Sequence, residues 1–130
     1  MEQAVKPHKR TMTHFRMNGP EMTLVATRTA NHPELQFPPL QYVNGDQPVE
    51  EVDIGPLGRL YTYTVVHPGK EAEPYMLAMV DFEPGVRAFG RLTGSLQPAP
   101  VLDGLVRVVP FTLADGSPDY AFEPVQGATA

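Results

Sequence analysis

Few side chains in this sequence could do covalent or acid–base chemistry. There is no cysteine, so disulfides, thiolate catalysis and cysteine-ligated zinc are excluded together. The two serines, Ser95 and Ser117, lack the glycines that flank a nucleophile elbow on both sides. Of the four histidines, His8 and His14 lie in a basic N-terminal stretch and read as solvated. His67 stands before Pro68-Gly69, with no second histidine or convergent acid to orient it as a base. Asp81 and Glu83 share one face of a strand, but a hairpin turn explains them more simply than paired acid–base work. Glu50, Glu51 and Asp53 read as a solvated run. Gly85, Gly90 and Gly94 are spread through a strand and do not precede a helix, so they make no phosphate loop. The expectation is a chain with no catalytic residue, no cofactor and no metal site.

What positions these residues is a β-rich chain. Its 130 residues suffice for one domain with a real core, and 42% hydrophobic content fits a globular protein. Fifteen prolines and eleven glycines suit an all-β fold with many turns. No run of eighteen apolar residues occurs, and the first fifteen lack the apolar core of a signal peptide. The expected location is cytoplasmic, with no membrane segment. Charge is uneven. Residues 1–28 carry five bases against two acids, and residues 29–130 carry five against thirteen. An acidic body repels nucleic-acid backbones.

Strand patterns run along the chain. Residues 1–21 form a basic segment with a short helix expected over residues 11–17, ended by Asn18-Gly19-Pro20. Residues 22–29 read as a strand, and residues 34–37 as a short strand pairing back before Pro38-Pro39. Asn44-Gly45-Asp46 reads as a tight turn. Residues 49–54 are expected to begin the main sheet. Residues 59–67 form the first long strand, yet neither of its faces is clearly polar. Residues 75–82 are clearer: Met76, Ala78, Val80 and Phe82 make one wholly apolar face, which must point inward. Pro84-Gly85 predicts a type II turn into the partner strand 86–92. Residues 93–104 are loop. Residues 105–113 and 119–123 complete five strands, and the last residues are expected to be disordered. Five short strands at this spacing predict a five-stranded Greek-key barrel, of which the OB-fold is the common case.

The same alternation predicts a surface. With the apolar faces inside, Leu77 and Met79 share the outer face with Arg87, Phe89 and Arg91, joined by Tyr61 and Tyr63 where they too face out. Exposed aromatics, methionine and arginine are typical of protein interfaces. On an OB face they could instead stack the bases of a single strand. The acidic body favours protein over nucleic acid.

Phe37-Pro38-Pro39, LYTYTVVHPG after Gly58, PYMLAMVDFEPGVRAFGRL, Gly104-Leu105-Val106 and the late YAFEP occur in an order that resembles a known family. It is the acyl-CoA-associated OB-fold family, domain of unknown function number thirty-five, and the resemblance covers residues 22–124. It implies an N-terminal zinc ribbon followed by an OB-fold. It also implies a non-catalytic accessory role, binding and stabilising a thiolase-like or MaoC-like hydratase enzyme and helping to hold acyl-CoA. The family's ribbon places Cys-x-x-Cys pairs around Phe-Pro-Pro. The matching positions here are Thr29, His32, Val43 and Asp46, so the ribbon is expected to be a degenerate, metal-free hairpin. The expected organisation is residues 1–21, a ribbon-like hairpin over 22–47, an OB barrel over 48–124 and a tail over 125–130. A homo-oligomer is a further partner expectation.

Overall fold

Alternation decides most of the fold. In the computed structural model, residues 13–40, 48–83 and 85–125 are described in full, together with the backbone of the short strands at 7–9 and 42–44. Among the described residues ten strands succeed one another in chain order: β1 (Pro7–Lys9), β2 (Phe15–Asn18), β3 (Glu21–Arg28), β4 (Tyr42–Asn44), β5 (Glu50–Ile54), β6 (Leu57–Val66), β7 (Tyr75–Phe82), β8 (Val86–Leu92), β9 (Leu105–Thr112) and β10 (Pro118–Pro124). Strands β6 to β10 close a barrel in the order β10-β8-β7-β6-β9. Every pairing in it is antiparallel except β8 with β10, which meet in parallel at Leu92 and Phe122. This is the OB-fold topology, and the protein is all-β.

The inner faces are those that the alternation predicts. Met76, Ala78, Val80 and Phe82 on β7 are buried, as are Val86, Ala88 and Leu92 on β8 and Val106 and Val108 on β9. Burying each large apolar side chain is worth about 1.5–3 kcal/mol. Strand β6 is different. Its register against β7 slips between Leu60 and Thr62, from Leu60↔Val80 to Thr62↔Met79 and Tyr63↔Ala78. This bulge reverses the alternation, so Leu60 points in before it while Tyr63 and Val65 pack on the core after it. The mixed faces of residues 59–67 are the two halves of one strand on either side of that bulge.

The turn between β7 and β8 falls one residue earlier than expected. Gly85 N donates to Phe82 O at 2.7 Å, and Gly85 takes the positive φ of 111° that closes a three-residue loop.

The N-terminal part departs further from expectation. The helix expected over residues 11–17 is absent from its described part, because Phe15–Asn18 forms strand β2. Gly19, at φ 65°, turns the chain so that β2 pairs antiparallel with β3. Residues 49–54 do not begin the barrel. As β5 they pair with β3, giving a three-stranded sheet β2-β3-β5. Residues 34–37 contribute only one bridge, Thr27↔Gln36. The acids of β5 are not a free solvated run. Arg16 Nη2 reaches Glu51 Oε1 at 2.9 Å, and Arg28 Nε reaches Glu50 Oε1 at 2.5 Å. The Arg28 hydrogen bond holds the Glu50 carboxyl below its ordinary value. Strands β1 and β4 pair as a separate ribbon. Val125 is ordered by its N–H bond to Leu105 O at 3.0 Å; the rest of the expected tail and the tip of the Asn44-Gly45-Asp46 turn lie outside the described residues.

A run of rings fastens this sheet to the barrel. Phe82 packs on Phe122 (6.1 Å between centroids), Phe122 on Tyr120 (5.7 Å), and Tyr120 on Phe37 and Phe15 (5.8 and 6.3 Å). Tyr120 Oη donates to Phe89 O at 2.5 Å. Burial, aided by the charge of Asp119, pushes the Tyr120 phenol up to about 12.

Both glycine packing and the buried phenol have measurable consequences. A Cβ on Gly58 would lie 2.6 Å from Val80 Cγ1 and 3.0 Å from Asp81 O, so Gly58→Ala should lose roughly 1–3 kcal/mol in urea unfolding. Tyr120 is neutral in the fold, and its ordinary value is near 10. Its stabilisation is therefore complete below about pH 10 and is lost as pH rises towards 12. The urea midpoint of the native chain should fall more steeply over that window than that of Tyr120→Phe.

Candidate functional site

The pairing of β6, β7 and β8 sets out the outer barrel wall in rows. Arg59, Asp81 and Arg87 form one row; Thr62, Met79 and Phe89 the next; Thr64, Leu77 and Arg91 the third; Val66 and Tyr75 lie beyond it. Tyr61 projects outward from the bulge. Tyr61 and Phe89 are each 51% exposed and Met79 is 38% exposed, which is high for large apolar side chains on paired barrel strands. Two cations brace these groups. Arg87 grips Asp81 through both carboxylate oxygens, at 2.6 and 3.1 Å, and its Cζ lies 3.5 Å from the centre of the Tyr61 ring. The Asp81 hydrogen bond raises the Arg87 guanidinium above its ordinary value. Arg91 Cζ lies 4.1 Å from the centre of Tyr75 and 5.0 Å from that of Phe111 on β9.

Six of the seven residues expected on this face are together there: Tyr61, Leu77, Met79, Arg87, Phe89 and Arg91. Tyr63 is not, because the bulge turns it onto the core beside Ala78. Asp81 reads in the sequence only as a turn residue, although it orders Arg87. Tyr75 shares the parity of Leu77 and Met79, and that parity is the signal that could have found it. Phe111 reaches the face from another strand, and no local pattern marks it.

A second exposed feature is the loop between β8 and β9. Val101 is 71% exposed and Leu102 57%. Beside it a groove of about 960 Å³ runs between Pro98–Val101 and the chain at Leu105, Pro124 and Val125. Its polar lining includes Ser95, Arg107 and Glu123.

The ribbon positions have other work than holding zinc. Thr29 is buried, its Oγ1 accepts the His32 N–H at 3.1 Å, and the two residues exchange backbone hydrogen bonds at 3.0 and 3.1 Å. Thr27 Oγ1 likewise accepts the Leu40 N–H at 2.9 Å. A neutral hydroxyl already in use is a poor zinc ligand, and Val43 offers no donor atom. Among the described residues no three His, Cys, Asp or Glu come together as a metal site. These residues do not fit zinc. Nor, among the described residues, is any helix long and apolar enough to cross a membrane.

Residues 51–111 match the family model of the ChsH2 C-terminal OB-fold domain, a span that runs from within β5 into β9 and includes the whole wall described above. A solved structure described as the Ltp2-ChsH2(DUF35) aldolase is similar at a TM-score of 0.60 and 23% identity, covering 78% of this chain and 84% of that chain. No curated protein sequence matches. Barrel topology and family match agree: over residues 51–111 this chain is similar to the OB-fold domain of ChsH2, and its fold is that of the ChsH2(DUF35) structure.

Proposed function

We propose that this chain is a non-catalytic accessory subunit. It binds and stabilises a thiolase-like or MaoC-like hydratase enzyme of acyl-CoA chemistry and helps that enzyme hold its acyl-CoA. The observation that carries this reading is the outer wall of β6–β8, where Tyr61, Met79 and Phe89 stay exposed beside Arg87 and Arg91 although the barrel has closed without them. Large apolar and guanidinium groups of this kind form the centres of protein contacts. The similar structure, in which a ChsH2(DUF35) chain is described together with Ltp2 as an aldolase, supports a partner enzyme over an independent role. A nucleic-acid strand suits the face less well: Asp81 stands among its arginines, and the chain carries a net charge of −5.

The test is co-expression with a thiolase-like enzyme from the same genome, and in parallel with a MaoC-like hydratase from it. One of them should co-elute with the chain and melt higher in its presence. Phe89→Ala with Met79→Ala should weaken the complex roughly tenfold or more. A chain that stays alone with both enzymes, or that turns over acyl-CoA by itself, would refute the reading.

A further inference from the structure

One cation on this wall is held in place and left without a counter-charge. Arg16, Arg28 and Arg87 each grip a carboxylate, and Arg59 Nη1 donates to Asp103 O at 3.1 Å. Arg91 is half-buried yet makes no hydrogen bond and no ion pair among the described residues, Asp119 and Glu123 of the neighbouring strand included. What holds it is ring contact, with Tyr75 at 4.1 Å and Phe111 at 5.0 Å. Stacking occupies the flat sides of a guanidinium and leaves its in-plane N–H fork unspent. Its row neighbours, Leu77 and Thr64, carry no charge. A fork fixed in this way gives up little freedom when it meets a planar anion.

Resting on the accessory-subunit reading, we propose that Arg91 is the anion-recognition point of this wall. It takes an aspartate or glutamate carboxylate from the partner enzyme's surface, through two parallel N–H···O bonds, while Phe89 and Met79 pack beside it. Two observations select a protein carboxylate over the phosphate of a free ligand. The wall is the outside of a closed barrel, whereas the groove of about 960 Å³ lies at the loop before β9; small ligands need concavity. Strands β6 to β8 also carry three arginines against one aspartate, on a chain whose net charge is −5. That local excess of positive charge complements an acidic surface.

The experiment measures the affinity of the full chain for the thiolase-like or hydratase enzyme with which it co-elutes, by calorimetry at several salt concentrations. Arg91→Gln should weaken binding roughly tenfold or more and flatten its salt dependence. Arg91→Lys should recover only part of the loss, because an ammonium cannot fork. Arg107→Gln, at an exposed arginine on β9, should bind like the native chain. An unchanged melting temperature for Arg91→Lys separates recognition from folding. If Arg91→Gln and Arg91→Lys both bind like the native chain while Phe89→Ala is weakened, the wall is the interface and the role of Arg91 is wrong. If Phe89→Ala also binds normally, the wall is not the interface and the Arg91 proposal falls, whereas failure to co-elute with either enzyme would sink the accessory reading itself. If free CoA competes with the enzyme only when Arg91 is present, the arginine holds a ligand phosphate and the proposal is overturned.

Discussion

Between Leu60 and Thr62 the register of β6 on β7 slips by one residue, and the alternation of side chains reverses there. A strand has only two faces, so a single inserted residue swaps the facing of every later side chain. Before the slip, Gly58 and Leu60 face the barrel interior, and Gly58 must be glycine because Val80, Phe82 and Asp81 leave no room for a Cβ. After it, Tyr63 and Val65 close the core while Thr62 and Thr64 line up outside with Met79 and Leu77. Tyr61, at the slip itself, is left outside against Arg87. The outer wall is therefore what remains once the barrel has used the side chains it needs.

The rest of the molecule is tied to that barrel by rings. Phe122 is completely buried and joins Phe82 within the barrel to Tyr120 at its margin; Tyr120 then meets Phe15 and Phe37 of the N-terminal part. Strand β3 is buried from Met22 to Thr27, and Leu24 and Ala26 belong to the same core as the barrel residues. In a ribbon with four thiolates the metal would fasten the turns. Here Thr29 and Thr27 supply hydroxyl acceptors to backbone N–H groups, and packing holds the segment. Arg16 and Arg28 offset part of the acidic charge of β5.

Legibility in the sequence depends on the reach of each signal. Strands β7 and β8 are readable because Met76, Ala78, Val80 and Phe82 keep a period of two without a fault, and so is most of the outer wall on them. Tyr63 is misplaced by that reading because a bulge leaves no mark in composition: two half-patterns of opposite phase look like none. Strand β2 passes for a helix because its four residues owe their shape to β3, across a two-residue turn. The place of β5 depends on pairing with a strand more than twenty residues earlier, and Phe111 reaches Arg91 from a strand that is not even its neighbour in the barrel. Contacts of that range carry no periodicity to read. The family resemblance supplies the barrel's class, and pairing alone decides which residues it shows.

On the proposed role, the enzyme meets the outer wall of β6–β8 and not the exposed loop at Val101 and Leu102. Site-specific photo-crosslinking separates the two, with a benzoylphenylalanine placed in turn at Tyr61, Phe89 and Val101 of the full chain in complex with its co-eluting enzyme. Covalent adducts to the enzyme are expected from positions 61 and 89 and none from 101. Adducts from 101 alone would contradict it.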